Sequence, residues 1–512
     1  MLPLADLKNF AKTAAAALAR ARDLADFEVY CSSGEELIAR INYTSDISSS
    51  GVEEVKSNAA DGFVIRVVFR RDPHQSATAS EAGDFSLDSL RRVLERARAS
   101  AVVDPHFPGL PDGTRTARLA PLQAGKLASA SDRAVVDAAW AILRSALESF
   151  ERRNPITAQS PGLIIGGDVT LARDRIAVAG SHFSDIRTDQ SAHFSASVTA
   201  IIEALETKGT ATTLGGSLES LRRLAPLGRQ AIERAINLKA GRRMPGGNYR
   251  VMLGPQPVAE ILNNMVVPSL TAGAFYTASS AYQGHFGAAV MDSRLSLADD
   301  PLSQAGGAIH RRISCEGLPS HRIDLIRDGR LIGLLSNFYD ARRLAADQEL
   351  ADKLGPEAGG AIDLAPIGGY RIGDGIGRRF DSHPGTTASN VVMRARGGVG
   401  QRAMLEALGD GIYVGRVWYT YPINGQRAGD FTCTITGDSY LVRDGRPVAP
   451  LLPNCLRINA AIDQVFRHVI AIGNRREAIP IWGSPEAYYV PGLVVESLPL
   501  SAIEHGIPSN AE

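Results

Sequence analysis

Residues 248–269 read NYRVMLGPQPVAEILNNMVVPS, and the prediction of the fold starts from this stretch. Residues 249–253 form a short apolar run, a Gly-Pro turn follows, and apolar residues then recur at helical spacing over residues 258–266. Pro255 and Pro257 fall at the start of the helix, where proline is tolerated because its missing N–H would have no intrahelical partner. The stretch therefore predicts a strand, a turn and a helix.

A helix in this position is where a zinc peptidase would carry the motif His-Glu-x-x-x-His. Two histidines about one turn apart on one helical face can hold one metal ion, and the glutamate then lies beside the metal-bound water. Here the glutamate is Glu260, whereas Ala259 and Asn264 replace the two histidines. We therefore predict no metal site and no catalytic residue on this helix, and we interpret Glu260 as a solvent-facing or capping residue of the first turn.

Composition limits the possible classes of protein. The 512 residues are enough for several domains with large cores. The 55 basic and 55 acidic residues balance, so the chain lacks the basic footprint of a nucleic-acid-binding protein. The four cysteines lie far apart, the N-terminus does not resemble a secretory signal, and no apolar run approaches the ~18 residues of a membrane span. These features predict a cytoplasmic protein with neither nucleic acid nor membrane as a partner.

The pattern along the chain predicts an α+β fold in three parts. Residues 1–122 are predicted to form an N-terminal α/β domain, and residues 123–247 a middle α/β segment that continues it. Residues 248–512 contain many glycine-punctuated strand patterns and few helices. We therefore expect a large, mostly antiparallel, sheet-rich C-terminal domain.

Glycine and small polar residues mark the predicted turns. A Ser-Ser-Gly turn at residues 32–34 is expected to join two short strands, and the Asp-Gly pair at 61–62 to form a hairpin turn. The Asp-Gly pair at 328–329 predicts the clearest hairpin, because glycine accepts a positive φ. The GDGIG segment at 373–377 lacks the strand-then-helix context of a dinucleotide site, and we interpret it as a mobile loop.

An ordered set of short motifs extends through nearly the whole chain. It includes FEVY at 27–30, GLPS at 317–320, YDARRL at 339–344, GDF at 429–431 and IGN at 472–474. In this order, the motifs resemble the TldD/PmbA family of bacterial proteins, peptidase family U62. The resemblance implies a fold in which two subunits enclose an internal chamber.

This family contains two kinds of subunit. TldD-like chains carry the zinc helix and a C-terminal cysteine ligand and hydrolyse peptides, whereas PmbA- or TldE-like chains lack these ligands and pair with a TldD-like partner. The present sequence departs from the TldD pattern at Ala259 and Asn264, and no cysteine follows Asn474. The resemblance therefore implies a PmbA/TldE-like subunit with no cofactor of its own, in a metalloprotease complex that cleaves unfolded or flexible peptides.

The same resemblance implies the partners. Zinc and hydrolysis are expected only in a TldD-like metallopeptidase subunit, with which this chain forms a heterodimer, or a homodimer when produced alone. Large apolar residues in irregular C-terminal segments are difficult to cover in a monomer and are typical of interface cores. We expect such residues at the subunit interface, namely Leu451, Leu452, Trp482, Tyr488 and Tyr489.

Other functional readings remain open. Arg322 and Asp324 alternate on one strand of the 328–329 hairpin, where they either pair with each other or line a peptide groove. A rival hypothesis is a divergent stand-alone hydrolase or biosynthetic enzyme built on His285, His321 and Cys315. A second rival is a pure peptide-binding module, since an open sheet edge binds an extended peptide through main-chain groups.

Overall fold

The computed structural model describes residues 1–45, 47, 51–111, 119–122, 125–153, 162–182, 184–358, 364–373 and 376–503. Helices pack on sheets whose strands are mostly antiparallel, which confirms the predicted α+β class. Among the described helices, none combines the length and the apolar character that crossing a bilayer requires.

One antiparallel sheet, here called the front sheet, organises the N-terminal half. Its strands are β1 Leu24–Thr44, β2 Gly51–Val52, β3 Lys56–Phe69, β4 Asp72–Ala82, β5 Val102–Val103, β6 Leu163–Gly180, β7 Arg187–Ile202 and β8 Thr207–Gly215. Their order is β5-β4-β3-β1-β6-β7-β8, and β2 pairs with one end of β1. Strands from both sides of residue 122 thus share one sheet, while the predicted domain bounds themselves stay a prediction.

Helices cover one face of the front sheet. They are α1 Leu4–Leu18, α2 Leu87–Ala99, α3 Asp132–Arg153, α4 Leu218–Leu221 and α5 Ala225–Asn237. Because side chains alternate along a strand, Val169 and Leu171 of β6 are fully buried in the core formed with α3 and α5. Asp168 and Thr170, between and beside them, point to the opposite face of the sheet. That opposite face is the one that faces the C-terminal domain.

The central strand β1 is continuous where the sequence predicts a turn. Ser32, Ser33 and Gly34 pair with β3 on one side and with β6 on the other. Gly62 lies within β3, and a Cβ atom there would lie 2.6 Å from Cζ of Phe380. Both predicted turns are therefore wrong, because pairing with distant strands, which no local pattern reveals, keeps these segments extended.

The C-terminal half contains two larger sheets and several short hairpins. Its strands are β9 Gly247–Leu253, β10 Leu295–Asp299, β11 Ile323–Arg327, β12 Arg330–Leu331, β13 Gly369–Tyr370, β14 Ile372–Gly373, β15 Ile376–Arg378, β16 Gly385–Thr386, β17 Asn390–Ala395, β18 Gly411–Pro422, β19 Asp430–Arg443, β20 Arg446–Pro450, β21 Leu456–Ala461, β22 Val469–Ile472, β23 Glu477–Pro480, β24 Ala487–Val490 and β25 Leu493–Ala502. One sheet has the order β18-β9-β25-β21-β19-β20, and the other has the order β12-β11-β10-β17-β24-β23. Most pairs are antiparallel, as predicted, while β9–β18 and β17–β24 are parallel.

Short helices connect these strands. They are α6 Pro255–Ile261, α7 Val267–Ser269, α8 Ala272–Tyr276, α9 Phe338–Ala345, α10 Leu350–Leu354, α11 Gln401–Leu408 and α12 Ile462–Phe466. The organising stretch forms β9 followed by α6, which confirms the strand, turn and helix predicted for it. A π-helix, Leu262–Val266, joins α6 to α7 without a break in the helical path.

Two predicted glycine turns have different outcomes. Asp328 and Gly329 both have positive φ, 48° and 77°, and close the hairpin between β11 and β12 as predicted. The GDGIG segment is not a simple loop, because Gly373 and Ile376 pair across the β14–β15 hairpin. Its two central residues, 374 and 375, lie outside the described residues.

The apolar residues predicted at an interface differ in exposure. Leu451 and Tyr488 are 1% and 0% exposed, and Tyr488 lies on β24, which is held between β17 and β23. Leu452 and Tyr489 are half-buried, whereas Trp482 is 83% exposed. The expectation that a monomer cannot cover these residues is therefore wrong for Leu451 and Tyr488, because tertiary packing buries them. The interface itself stays a prediction.

Candidate functional site

A cleft of about 740 Å³ lies between the front sheet and the C-terminal domain. The front sheet supplies a polar floor, with side chains Glu36, Asp168, Thr170, Ala172, His193, Ser195, Ser197 and Thr212. The C-terminal domain supplies the other walls, with residues that include Gln256, Glu260, Arg311, Tyr370, His383, Arg416, Trp418, Trp482 and Glu486. Helix α6, which carries the glutamate singled out in the sequence, thus lies in the wall of this cleft.

Glu260 is held by amide groups one turn before and one turn after it. Gln256 Nε2 donates to its Oε1 at 3.0 Å, and Asn264 Nδ2 donates to its Oε2 at 3.1 Å. Only 7% of the residue is exposed, and this burial raises the pKa of the carboxyl group to about 7, against an opposing effect of Arg416. The solvent-facing interpretation of Glu260 is therefore wrong. Strands β18, β23 and β24 pack against α6 and contribute to the burial of this residue.

The two positions where a zinc peptidase has histidines lie on different helical segments, Ala259 on α6 and Asn264 on the π-helix that follows it. A π-helix closes its hydrogen bonds five residues apart, so its turn is wider than that of an α-helix. Ala259 is fully buried and offers no ligand atom, and Asn264 Nδ2 also donates to the Glu260 carbonyl oxygen at 2.9 Å. These residues do not fit a zinc ion. Within the described ranges, no group of three His, Cys, Asp or Glu residues is placed to hold a metal.

The floor of the cleft carries carboxylates in an unusual electrostatic environment. Burial raises the pKa of Glu36, and the nearby Asp168 raises it further. Burial also raises the pKa of Asp168, while a hydrogen bond from Thr170 and the charge of Arg40 oppose the change. Burial lowers the pKa of His193 to about 4, so its imidazole is neutral at pH 7. The floor therefore presents negative charge and a neutral imidazole to the cleft.

Aromatic side chains form one end of the cleft. The ring centroids of Trp418 and Trp482 are 6.2 Å apart, with an angle of 47° between the ring planes. Tyr419, beside them, has a positive φ of 56° at an irregularity in the β18–β19 pairing. Non-glycine residues in this region of φ are strained, and such strain concentrates at functional sites. An exposed indole at the mouth of a cleft offers an apolar surface to a ligand.

The remaining residues singled out in the sequence lie elsewhere. Arg322 Nη2 lies 2.8 Å from Asp324 Oδ1, and Arg327 pairs with the same carboxylate. Neither Arg322 nor Asp324 is among the described residues that line the cleft, so their groove role stays a prediction. Cys315 is buried beside Tyr30, and burial raises the pKa of its thiol.

Sequence reasoning missed the floor of the cleft. The alternation of residues 191–203 indicates that His193, Ser195 and Ser197 share one polar face of a strand. It does not indicate that Glu36 and Asp168, from two distant strands, lie on the same face. Only the pairing of β1, β6 and β7 brings these residues together.

Comparisons with known proteins agree with this fold. The chain is similar to TldE from Thermococcus kodakarensis, with 13% identity and a TM-score of 0.75 over 97% of this chain and 99% of that chain. It is also similar to candidate modulators of DNA gyrase from Bacteroides thetaiotaomicron (15% identity, TM-score 0.71, 97% and 99% covered) and from Thermotoga maritima (16%, 0.71, 96% and 99%). At such identities the likeness concerns the fold alone.

The sequence comparison concerns the half of the chain that contains α6. No curated protein matches the sequence. Residues 246–502 match the family model described as the PmbA/TldA metallopeptidase C-terminal domain. Because this match spans half of the 512 residues, the chain belongs to the PmbA/TldD family, as the ordered motifs predicted.

Proposed function

We propose that this chain is a metal-free, PmbA/TldE-like subunit of a two-subunit metalloprotease that cleaves unfolded or flexible peptides. The proposal rests on the hydrogen bonds of Glu260 and on the residues that surround it. Amide groups of Gln256 and Asn264 hold both of its carboxylate oxygens, and Ala259 offers no ligand where a zinc peptidase has a histidine. The glutamate is retained, but the residues that would place a metal beside it are not.

The chemistry of zinc hydrolysis supports this assignment of roles. A catalytic zinc takes three protein ligands and keeps one position open for water. At residue 259 the chain has a methyl group, and at residue 264 an amide whose nitrogen donates to Glu260. The sequence also contains no cysteine beyond Cys455. Hydrolysis therefore belongs to a zinc-bearing, TldD-like partner, with which this chain forms a heterodimer, or a homodimer when produced alone.

In this complex the chain binds peptide. The cleft offers hydroxyl, carboxylate and imidazole groups on its floor and indole rings at its mouth, which suits the polar main chain and mixed side chains of an extended peptide. The 83% exposure of Trp482 supports a contact with a ligand or with the partner at the same end. A pure peptide-binding module is the second candidate, favoured by the same cleft.

The stand-alone hydrolase built on His285, His321 and Cys315 finds less support. None of the three is among the described residues that line the cleft. The Cys315 side chain is 1% exposed and its pKa is raised by burial, so its thiol is a weak nucleophile. His285 is exposed in a connection between helix α8 and strand β10, and its Nδ1 lies 2.9 Å from the Gln283 carbonyl oxygen.

Metal content and hydrolysis test the proposal directly. The purified chain is analysed for zinc and assayed with fluorescent casein, alone and mixed with a TldD-like subunit, while light scattering reports the mass of each sample. We expect no stoichiometric zinc and no cleavage from the chain alone, and a heterodimer with chelator-sensitive cleavage from the mixture. About one zinc per chain, with cleavage by the chain alone, would overturn the proposal. Peptide binding without cleavage in the mixture would favour the binding module.

A further inference from the structure

We propose that the floor of the cleft contains a subsite for a cationic group of the peptide, a guanidinium or an ammonium, which binds between Glu36 and His193. The inference rests on the proposed function, because it takes a peptide as the ligand of the cleft. It goes further by naming the chemical class of residue that the front sheet selects.

The sheet register places the two groups on either side of a small residue. Glu36 of β1 is directly opposite Ala172 of β6, and Ala172 is directly opposite His193 of β7. Neighbouring strands lie ~4.8 Å apart, so the Cα atoms of Glu36 and His193 are separated by roughly 10 Å. All three side chains line the cleft. The methyl group of Ala172 therefore leaves a niche between a carboxylate and an imidazole.

Glu36 is a largely buried residue of the cleft floor whose carboxylate has no partner among the described residues. The residue is only 9% exposed, and its side chain makes no hydrogen bond or ion pair with any described residue. Its surroundings contribute a further negative charge, that of Asp168, rather than a compensating cation. Because Glu36 lines the cleft, its carboxylate is available to a cationic group of a ligand, which would form a charge-assisted hydrogen bond with it.

His193 adds an acceptor on the other side of the niche. Its Nδ1 is buried and has no hydrogen-bond partner in the described part of the chain. Because the pKa of this imidazole is about 4, the ring is neutral at pH 7, and in the Nδ1–H tautomer Nε2, which is not among the buried atoms, accepts a hydrogen bond. Carboxylate and imidazole acceptors together suit a cation that carries several N–H groups. Guanidinium has five such donors and ammonium has three.

The arginines of the cleft walls do not pair with Glu36. Arg311 Nη1 donates to the Ala388 carbonyl oxygen at 3.1 Å and to Ser389 Oγ at 3.2 Å, and its ring neighbour is Tyr370. Arg416, the other arginine among the lining residues that are described, lies near Glu260 and influences the pKa of that group. Among the described lining residues the carboxylates are four, namely Glu36, Asp168, Glu260 and Glu486. The described lining thus carries more carboxylates than arginines. Arg40 acts on Asp168 and Arg311 acts on His193, so Glu36 is the floor carboxylate on which no cation of the described residues acts.

The cation can come from a side chain or from the α-amino group of the peptide, and the test separates these sources. Calorimetry measures binding to the full chain, alone and mixed with its TldD-like partner in the presence of the chelator that stops cleavage. The probes are short peptides of one sequence with a central arginine, lysine or citrulline, which is the neutral isostere of arginine, all acetylated and amidated at their ends. A citrulline peptide with a free amino group is the fourth probe.

The expected result is a preference for charge. The acetylated arginine or lysine peptide should bind at least about tenfold more tightly than the acetylated citrulline peptide, because the charged group makes the stronger hydrogen bonds. If only the free amino group gives this preference, the cation is the peptide N-terminus, and the subsite stands. Equal affinity of all probes would overturn this inference and leave the proposed function intact. Absence of any binding, alone and in the mixture, would overturn both.

Variants locate the subsite. Glu36→Gln should reduce the preference for charge to less than about twofold, and Ala172→Leu should do the same by filling the niche. Glu54→Gln, an exposed glutamate outside the cleft, is the matched control and should keep the full preference. Glu36→Gln removes a carboxylate that pairs with no described residue and whose pKa is raised by burial, so the melting temperature of the variant should not fall, and lost binding cannot then reflect lost folding. A preference that persists in Glu36→Gln would overturn the inference.

Discussion

The replacement Glu260→Gln tests the electrostatic account of the cleft wall. In the folded chain the pKa of Glu260 is about 7, against an ordinary value of 4.5, because the carboxyl group is buried. Below pH 4.5 the group is protonated in both the folded and the unfolded chain, so it costs nothing. As the pH rises from 4.5 to 7, the unfolded chain loses the proton first, and the folded state loses stability. Above pH 7 the whole cost is present.

The magnitude follows from this shift. At ~1.4 kcal/mol for each pH unit, a rise from 4.5 to about 7 corresponds to a cost of ~3 kcal/mol above pH 7. Only 7% of Glu260 is exposed, so solvent screening reduces this figure little. The unfolding entropy of a 512-residue chain is ~1 kcal/mol/K, which converts the cost into a shift of about 3 °C in melting temperature. If the C-terminal domain unfolds separately, its own transition shifts by about twice as much.

Calorimetry at two pH values isolates the effect. Glutamine cannot accept from both Gln256 and Asn264, so the variant loses one hydrogen bond, worth ~1 kcal/mol at any pH. This loss cancels when the difference in melting temperature between variant and wild type is compared at pH 5 and pH 8. Part of the cost, ~1 kcal/mol, is already present at pH 5, so we expect the difference to move in favour of the variant by about 2 °C between these values. The exposed Glu496→Gln is the control and should show no such movement. The same difference at both pH values for Glu260→Gln would refute the reasoning.

Three further predictions follow from burial and close packing. Trp482→Ala should change the melting temperature by less than about 1 °C, because the side chain is exposed, yet should weaken peptide binding measured by calorimetry; unchanged affinity would exclude a role in binding. Gly62→Ala should lower the melting temperature by about 3 °C, because the new Cβ would lie 2.4 Å from the Glu81 carbonyl oxygen and against the Phe380 ring; unchanged stability would contradict this packing. The four buried cysteine thiols should not react with Ellman's reagent in the folded chain and should all react after unfolding, so rapid labelling of the folded chain would contradict their burial.

The sequence by itself predicted the features that depend on residues close together in the chain. The strand, turn and helix of residues 248–269 follow from apolar spacing and from prolines at a helix start, and the structure has all three. The hairpin at Asp328 and Gly329 follows from the need for positive φ. Each of these features depends on residues within a few positions of one another.

The same local reasoning failed where long-range pairing competes. The Ser-Ser-Gly turn at 32–34 and the Asp-Gly turn at 61–62 satisfy every local criterion, yet both segments are extended inside the front sheet. Their main-chain groups bond to strands whose positions the local sequence does not encode. Turn residues indicate where a chain can bend, and pairing partners decide whether it does.

The candidate site also has features that the sequence determined and features that only the tertiary structure decided. The sequence by itself determined that Glu260 is retained while Ala259 and Asn264 replace the histidines, because residue type at a motif position needs no structure. Only the tertiary structure decided that Glu260 is buried and that Glu36 and His193, more than 150 residues apart, share one niche. The physical reason is that the burial of a side chain and the charges around it depend on residues from distant segments. A local sequence pattern does not indicate which distant segments pack together.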